Sequence, residues 1–216
     1  MHVIAGRFKG MPLPTPASGT RPTTDRTKEA VFSWLVSRDV VEGRRVLDLF
    51  AGTGALGIEA LSRGAIELVA VDSSAAAVAG LSKAVRALAN RRGVVDPPPT
   101  RVVRARAERF VASCHVSFGL VVVDPPYALG THACSDLLDV LFSRGVVEDG
   151  GLVVLERSVR DEEPHPEGTG GGRSWRIAER RDYGETAVYY CEAEDDADTA
   201  DDGDTDDSDA AVSVPA

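Results

Sequence analysis

Val46-Leu-Asp-Leu-Phe-Ala-Gly-Thr-Gly-Ala-Leu-Gly57 decides the fold. A short, mostly apolar strand, Val46 to Leu49, runs into a turn where Gly52, Gly54 and Gly57 keep G-x-G-x-x-G spacing, and a helix follows. Such a turn lets backbone approach a ligand closely and presents a helix N-terminus to it. Asp72 falls 20 residues beyond Gly52, at the end of the next apolar run, Leu68 to Val71. A carboxylate there can accept both hydroxyls of a ribose, whichever nucleotide carries it.

Asp48 separates the nucleotides. A carboxylate at the mouth of the turn would repel the pyrophosphate of a nicotinamide dinucleotide. It would instead favour the ammonium and sulfonium of S-adenosylmethionine, which has no phosphate.

Outward from this turn, strands and helices alternate. Towards the N-terminus a helix is predicted from about Thr24, with Val31, Trp34 and Leu35 on one face. Before it lies a leader broken by Gly10, Pro12, Pro14, Pro16, Gly19 and Pro22. Towards the C-terminus come a long helix (Ala75, Val78, Leu81, Val85, Leu88), strands Arg101 to Val103 and Leu120 to Val123, a helix around Leu137 to Phe142, and strand Leu152 to Leu155. Apolar strands separated by helices predict a parallel sheet covered on both faces. Trp175 to Arg180 and Thr186 to Cys191 alternate around Tyr-Gly-Glu, which predicts an antiparallel hairpin at the sheet edge. Ligands of such sheets sit beyond the carboxyl ends of the strands, near the switch in strand order.

Leu120-Val-Val-Val-Asp-Pro-Pro-Tyr127 puts chemistry at one of those ends. Two prolines after a strand-terminal Asp fix a carboxylate and a carbonyl in one direction, with a ring beside them. Asp124 and the Pro125 carbonyl can accept the two N–H groups of an exocyclic amine while Tyr127 stacks on its base. An ordinary Asp, with a pKa near 4, is too weak a base to deprotonate a neutral aromatic amine, so its expected work is orientation and charge stabilisation. The second D-P-P, Asp96 to Pro98, is flanked by Arg91, Arg92, Gly93 and a third proline and reads as a rigid loop.

The net charge of −10 is uneven. Residues 192–216 hold 11 of the 34 acidic residues and none of the 24 basic ones, leaving a net charge of +1 on residues 1–191. This tail is predicted to be disordered, because it is polar and self-repelling. The first 28 residues hold Arg7, Lys9, Arg21, Arg26 and Lys28 against Asp25, which allows a polyanionic partner there. Apolar runs of a few residues exclude a membrane helix. The cationic N-terminus argues against export. Cys114, Cys134 and Cys191, widely spaced, argue against disulfides and zinc and for a cytoplasmic protein. The four histidines keep no metal-ligand spacing, and Glu156, ending its strand, is open to a cleft or a surface role.

Taken together, the chain resembles the class I S-adenosylmethionine-dependent methyltransferases, and within them the RsmD family, which methylates the N2 amine of a guanine in 16S ribosomal RNA. The resemblance covers nearly all of residues 1–191. It rests on Ile4-Ala-Gly-Arg-Phe-Lys-Gly10, Thr20-Arg-Pro-Thr-Thr-Asp-Arg26, Glu29-Ala-Val-Phe-Ser-Trp34, Leu47-Asp-Leu-Phe-Ala-Gly-Thr-Gly54, Asp124-Pro-Pro-Tyr127 and Tyr183-Gly-Glu-Thr186. It implies a Rossmann-like, mostly parallel seven-stranded α/β sheet with a C-terminal antiparallel hairpin. It further implies a small N-terminal extension (1–23) in contact with RNA and a methyltransferase domain (24–191), which the acidic tail (192–216) follows.

Implied cofactor residues are Asp48, Phe50, Gly52, Thr53 and Gly54 around the turn, Asp72 on the ribose, and Thr24 and Arg26 in a segment closing over the cofactor. Asp124, Pro125 and Tyr127 would be catalytic. Pro126, Arg7, Lys9 and Arg21 would bind substrate. The implied partner is 16S RNA or the small ribosomal subunit, with the protein acting as a monomer and without metal. The family's usual acid for the adenine amine is replaced by Arg106, with backbone near Ala105 to Ala107 or Glu108 as substitutes. Alternatives are adenine-N6 methylation of DNA, an NAD-dependent oxidoreductase, which Asp48 argues against, and a non-catalytic RNA-binding assembly factor.

Overall fold

The computed structural model describes residues 1–14, 25–167 and 172–194. Arg21, Thr24 and nearly all of the acidic tail fall outside them. In chain order the elements are α1 (Asp25–Ser37), β1 (Arg45–Leu49), α2 (Ala55–Ser62), β2 (Glu67–Asp72), α3 (Ala75–Ala89), β3 (Thr100–Arg104), α4 (Ala107–Ala112), β4 (Phe118–Val123), α5 (Thr131–Ser143), β5 (Val147–Ser158), β6 (Trp175–Tyr183) and β7 (Thr186–Ala193).

The strands form one seven-stranded sheet in the order β3-β2-β1-β4-β5-β7-β6. β1 to β5 are parallel, and β7 pairs antiparallel with both β5 and β6. Every residue of β4 is buried, as expected of a central strand covered on both sides. Period-2 alternation divides the core. Val46, Leu68, Leu120 and Val154 face α1, α2 and α3, whereas Leu47, Val69, Val121 and Val153 face α4 and α5.

The hairpin is present, with its two strands in a definite place. β7, buried from Ala187 to Cys191, takes the inner position against β5, and β6, half-buried or exposed after Trp175, takes the rim. Burial accounts for this order, since the more apolar strand has more to gain from two neighbours. Trp34 of α1 closes over it, with its ring 3.8 Å from that of Tyr190 and its indole N–H donating to Glu179. Two features go beyond the sequence pattern: the short helix α4, and the 12-residue length of β5.

The leader is part of the core. Val3, Phe8, Met11 and Leu13 are buried with α1 and α2. Its backbone folds back through an isolated bridge between His2 and Pro12. Its turn closes on the last residue of α2, where Arg7 and Phe8 donate backbone N–H groups to the Ser62 carbonyl and hydroxyl. A Cβ on Gly6, at φ +79°, would stand 1.9 Å from the Ser62 carbonyl oxygen, so only glycine fits this approach. Among the described residues no helix is long and apolar enough to cross a membrane.

Candidate active site

β1 and β4 are neighbours at the centre of the sheet, and the chain winds towards β3 from one and towards β5 from the other. Their carboxyl ends therefore flank the switch point. The glycine turn follows β1 and Asp124-Pro-Pro-Tyr127 follows β4, so the two motifs lie side by side; the Asp124 N–H reaches the Leu49 carbonyl at 3.5 Å.

The turn is sharply wound. Phe50, Gly52 and Gly54 all have positive φ, at 60°, 52° and 74°. Glycine adopts this region freely, while Phe50 does so under strain that its packing against the half of the core facing α4 and α5 offsets. Among the described residues a Cβ on Gly52 would meet only the Phe50 carbonyl oxygen, at 3.8 Å. Thr53 touches the leader, its hydroxyl 3.7 Å from the Met1 sulfur.

Asp48 requires a correction. It lies under the turn, 2% exposed, and not at its mouth. Sharing the Val46 face of β1, it points at α2, where its carboxylate accepts the Gly57 N–H at 3.0 Å. It thus supplies the cap that Gly54, lacking a side chain, cannot give this helix. A Cβ at position 57 would stand 2.7 Å from the same oxygen, which explains the third glycine. Asp72 ties the neighbouring loops together, accepting the Gly52 N–H at 2.8 Å on one oxygen and the Ser74 N–H at 2.7 Å on the other. Each oxygen keeps a lone pair for a hydroxyl.

Asp48, Asp72 and Asp124 form one field. The Asp48 carboxyl is pushed up from 3.8 to about 7, first by burial and then by the charges of Asp124 and Asp72, against the pull of the Gly57 hydrogen bond. Neither Asp48 nor Asp72 has a cationic side-chain partner among the described residues. Among the described residues these two acids are thus unmatched by cations, which fits a cationic ligand and opposes a pyrophosphate.

A pH dependence follows. The folded chain holds the Asp48 proton more tightly than the unfolded one, so this group's contribution to stability is full below pH 3.8 and declines as pH rises to about 7. Asp48→Asn keeps an acceptor for Gly57 and is expected to stabilise the ligand-free protein at pH 8 by up to about 4 kcal/mol. The gain should vanish near pH 4, as denaturant titrations at the two pH values would test. Affinity for a cationic ligand should rise with pH through about 7 in the parent chain and lose that rise in the variant.

Across the switch point Pro125 is buried, while Pro126 and Tyr127 are exposed. Tyr127, 56% exposed, is the one aromatic among the large exposed apolar side chains of the described residues. Its loop is held from below by Arg157, 3% exposed, which donates to the Leu129 carbonyl at 2.6 Å and pairs with Asp161 at 2.7 Å. This clamp was not read from sequence, because an arginine ending a strand looks like a solvated charge. Glu156 beside it is buried, which removes its surface reading.

Other expected residues are dispersed. Arg26 is exposed on the first turn of α1, next to Asp25, which lies 3.6 Å from His2. Arg7 and Lys9 sit at the Ser62 end of α2, a helix length of ~12 Å from the glycine turn. There Arg7 donates to the Val95 and Asp96 carbonyls. The second D-P-P is thus a loop at the amino ends of the strands, away from the site. Arg106 is exposed and paired with Glu108 at 3.5 Å.

Glu59 also escaped the sequence reading. Fully buried, it accepts the Ile4 and Ala5 N–H groups and pairs with Lys28 and Arg63. One acid inside the otherwise apolar Ala55-Leu-Gly-Ile-Glu-Ala-Leu-Ser62 was the available signal.

A seven-stranded sheet of this order, with a glycine turn after β1 and acids at the switch point, is the class I methyltransferase fold. Relatives make the placement specific. The model of the family described as conserved hypothetical protein 95 matches residues 1–192, and the chain belongs to this family, the RsmD family. It is 33% identical over 195 residues to ribosomal RNA small subunit methyltransferase D of Escherichia coli K12, covering 86% of this chain and 93% of that one. A solved hypothetical protein of Thermus thermophilus superposes with a TM-score of 0.70 at 33% identity, covering 88% and 98% of the two chains. The magnesium protoporphyrin IX methyltransferase of Synechocystis, solved with bound S-adenosylmethionine, shares the fold with a TM-score of 0.58 at 17% identity, covering 79% of each chain.

Proposed function

We propose that this protein transfers a methyl group from S-adenosylmethionine to the exocyclic N2 amine of a guanine in 16S ribosomal RNA of the small subunit. The observation that carries the reading is the meeting of Asp48, Asp72 and Asp124-Pro-Pro-Tyr127 at one switch point. The name of the Escherichia coli relative supports the RNA substrate. Asp72 would hold the ribose, and Phe50, Gly52, Thr53 and Gly54 would line the methionine end, with the field of Asp48 favouring its positive charge. The cofactor, when bound, supplies an electrophilic methyl on sulfur.

The remaining work belongs to the chain. Asp124 and the Pro125 carbonyl accept the two amine hydrogens and so fix the direction of the nitrogen lone pair. Tyr127 offers its exposed ring to a base taken out of its stack. The arrangement acts by positioning, which can contribute several kcal/mol to an in-line displacement. As charge develops on nitrogen, Asp124 stabilises it until the proton leaves.

The test is to incubate labelled S-adenosylmethionine with under-methylated small subunits, digest the RNA to nucleosides and identify the product. Label in N2-methylguanosine is expected. Label in another nucleoside, or only in DNA, would overturn the base assignment.

A further inference from the structure

The edge of the sheet at β3 carries positive charge in excess of its acids. Residues 83–109 contain eight basic and two acidic residues. Lys83 and Arg86 on α3, Arg91 and Arg92 in the following loop, and Arg101 and Arg104 on β3 are all exposed. None of these six lies within ion-pair distance of a carboxylate among the described residues. The opposite side of the sheet behaves differently: Arg157, Arg160, Arg173, Arg176, Arg180 and Arg181 each meet an Asp or Glu. Arginines that only solubilise a surface have no reason to sort themselves this way.

The fold gathers these cations along one edge, with Arg101 and Arg104 leaving β3 on opposite faces. β3 is the edge strand, and Arg104 pairs in register with Asp72, so the charge begins at the rim of the candidate site. Arg101 lies towards the amino end of the same strand, and Arg91 and Arg92 lie in the loop that leads into it. Arg91 donates to the Phe8 and Lys9 carbonyls while Arg7 donates to Val95 and Asp96. The leader turn, with exposed Lys9, is thereby fastened to the far end. At 1.5 Å per residue α3 alone runs ~22 Å, room for roughly half a dozen phosphates.

We propose that this edge is the track on which structured RNA lays its phosphate backbone, from the rim of the site to the leader turn. The inference rests on the RNA-methylation reading and extends it by naming the surface that holds the substrate. Arginine forks suit phosphate oxygens, and an unpaired cation contributes more to an incoming polyanion than one already matched. The track also gives Arg7 and Lys9, remote from the glycine turn, a common partner with the site.

Full-length Arg91→Glu/Arg92→Glu and Arg101→Glu/Arg104→Glu variants would be compared with the parent chain and with Arg160→Glu on the opposite side. Binding of a fluorescein-labelled 30-nucleotide RNA hairpin would be measured across potassium chloride concentrations, alongside S-adenosylhomocysteine binding and melting temperature. Each double variant should bind the hairpin at least about tenfold more weakly at low salt. The slope of log affinity against log salt should become shallower by roughly 1.5, as expected for two lost phosphate contacts. Cofactor-product binding should not change in Arg91→Glu/Arg92→Glu, melting temperature should not change in Arg101→Glu/Arg104→Glu, and Arg160→Glu should bind the hairpin as the parent does.

An unchanged slope in both double variants, an equal loss in Arg160→Glu, or competition by polyglutamate as effective as by RNA of equal charge would overturn the proposal. The two readings fail separately. Loss of hairpin binding in the variants, with no methyl transfer to RNA by the parent, would sink the methylation reading and leave the track. Methyl transfer to small subunits undiminished in both variants, with unchanged hairpin binding, would sink the track alone.

Discussion

Asp124→Ala is expected to lower the turnover number for methyl transfer by about a thousandfold while leaving S-adenosylhomocysteine affinity within a few-fold of the parent at pH 8. Alanine removes the carboxylate that would accept an amine hydrogen, yet leaves Pro125, Pro126 and Tyr127 and the hydrogen bonds of the glycine turn intact. The change should therefore appear in turnover more than in cofactor binding. A second readout comes from the shared field of the acids. Asp124 helps push the Asp48 carboxyl up to about 7, so its removal should shift the pH midpoint of cofactor-product binding downward. Single-turnover transfer at saturating cofactor, with calorimetric titrations between pH 5 and 8, measures both. Turnover within tenfold of the parent would remove Asp124 from the mechanism.

Glu59→Ala is expected to destabilise the fold by about 3–5 kcal/mol, a large part of the ~5–15 kcal/mol that holds a domain of this size. Lys28 is fully buried and its ammonium lies 3.4 Å from Glu59. Without the acid, among the described residues that charge keeps the His2 carbonyl, at 2.8 Å, as its one remaining close acceptor, apart from Asp25 at 4.0 Å. The Ile4 and Ala5 N–H groups lose their acceptor as well. Urea unfolding gives the magnitude, and limited proteolysis should show cleavage in the leader before cleavage in the sheet.

If the alanine variant does not fold, Lys28→Met/Glu59→Gln supplies the comparison. With the buried charges gone and an amide left to accept, it should be more stable than Glu59→Ala. A loss below 1 kcal/mol in Glu59→Ala, with no change in proteolysis, would show that the leader is held by its apolar residues alone.

How much of this was legible in the sequence varies with the kind of interaction. The sheet was, because Val46 to Leu49, Leu68 to Val71 and Leu120 to Val123 are short apolar runs punctuated by glycine, proline and helical periodicity, all local properties of the chain. The carboxyl-end motifs were legible for the same reason: Gly52, Gly54, Gly57 and Asp124-Pro-Pro-Tyr127 encode their own backbone geometry. α4 was not, since six residues make fewer than two helical turns, too short a run for periodicity to show.

Charge was legible as an amount and not as a position. Residues 83–109 are plainly basic in sequence, but pairing is decided by which carboxylates the fold brings close. The fold delivers acids to the arginines of β5, β6 and the segment between them and none to those of β3. The same limit applies to Asp48, whose place beneath α2 depends on strand direction and helix packing, and to Glu59, whose four partners come from three separate segments. By itself the sequence determined the elements, their order and the two motifs at the switch point, because these follow from neighbours along the chain. Only the tertiary structure decided which charges are buried, which are matched and which face outward, because desolvation and ion pairing depend on residues distant in sequence that meet only in the folded protein.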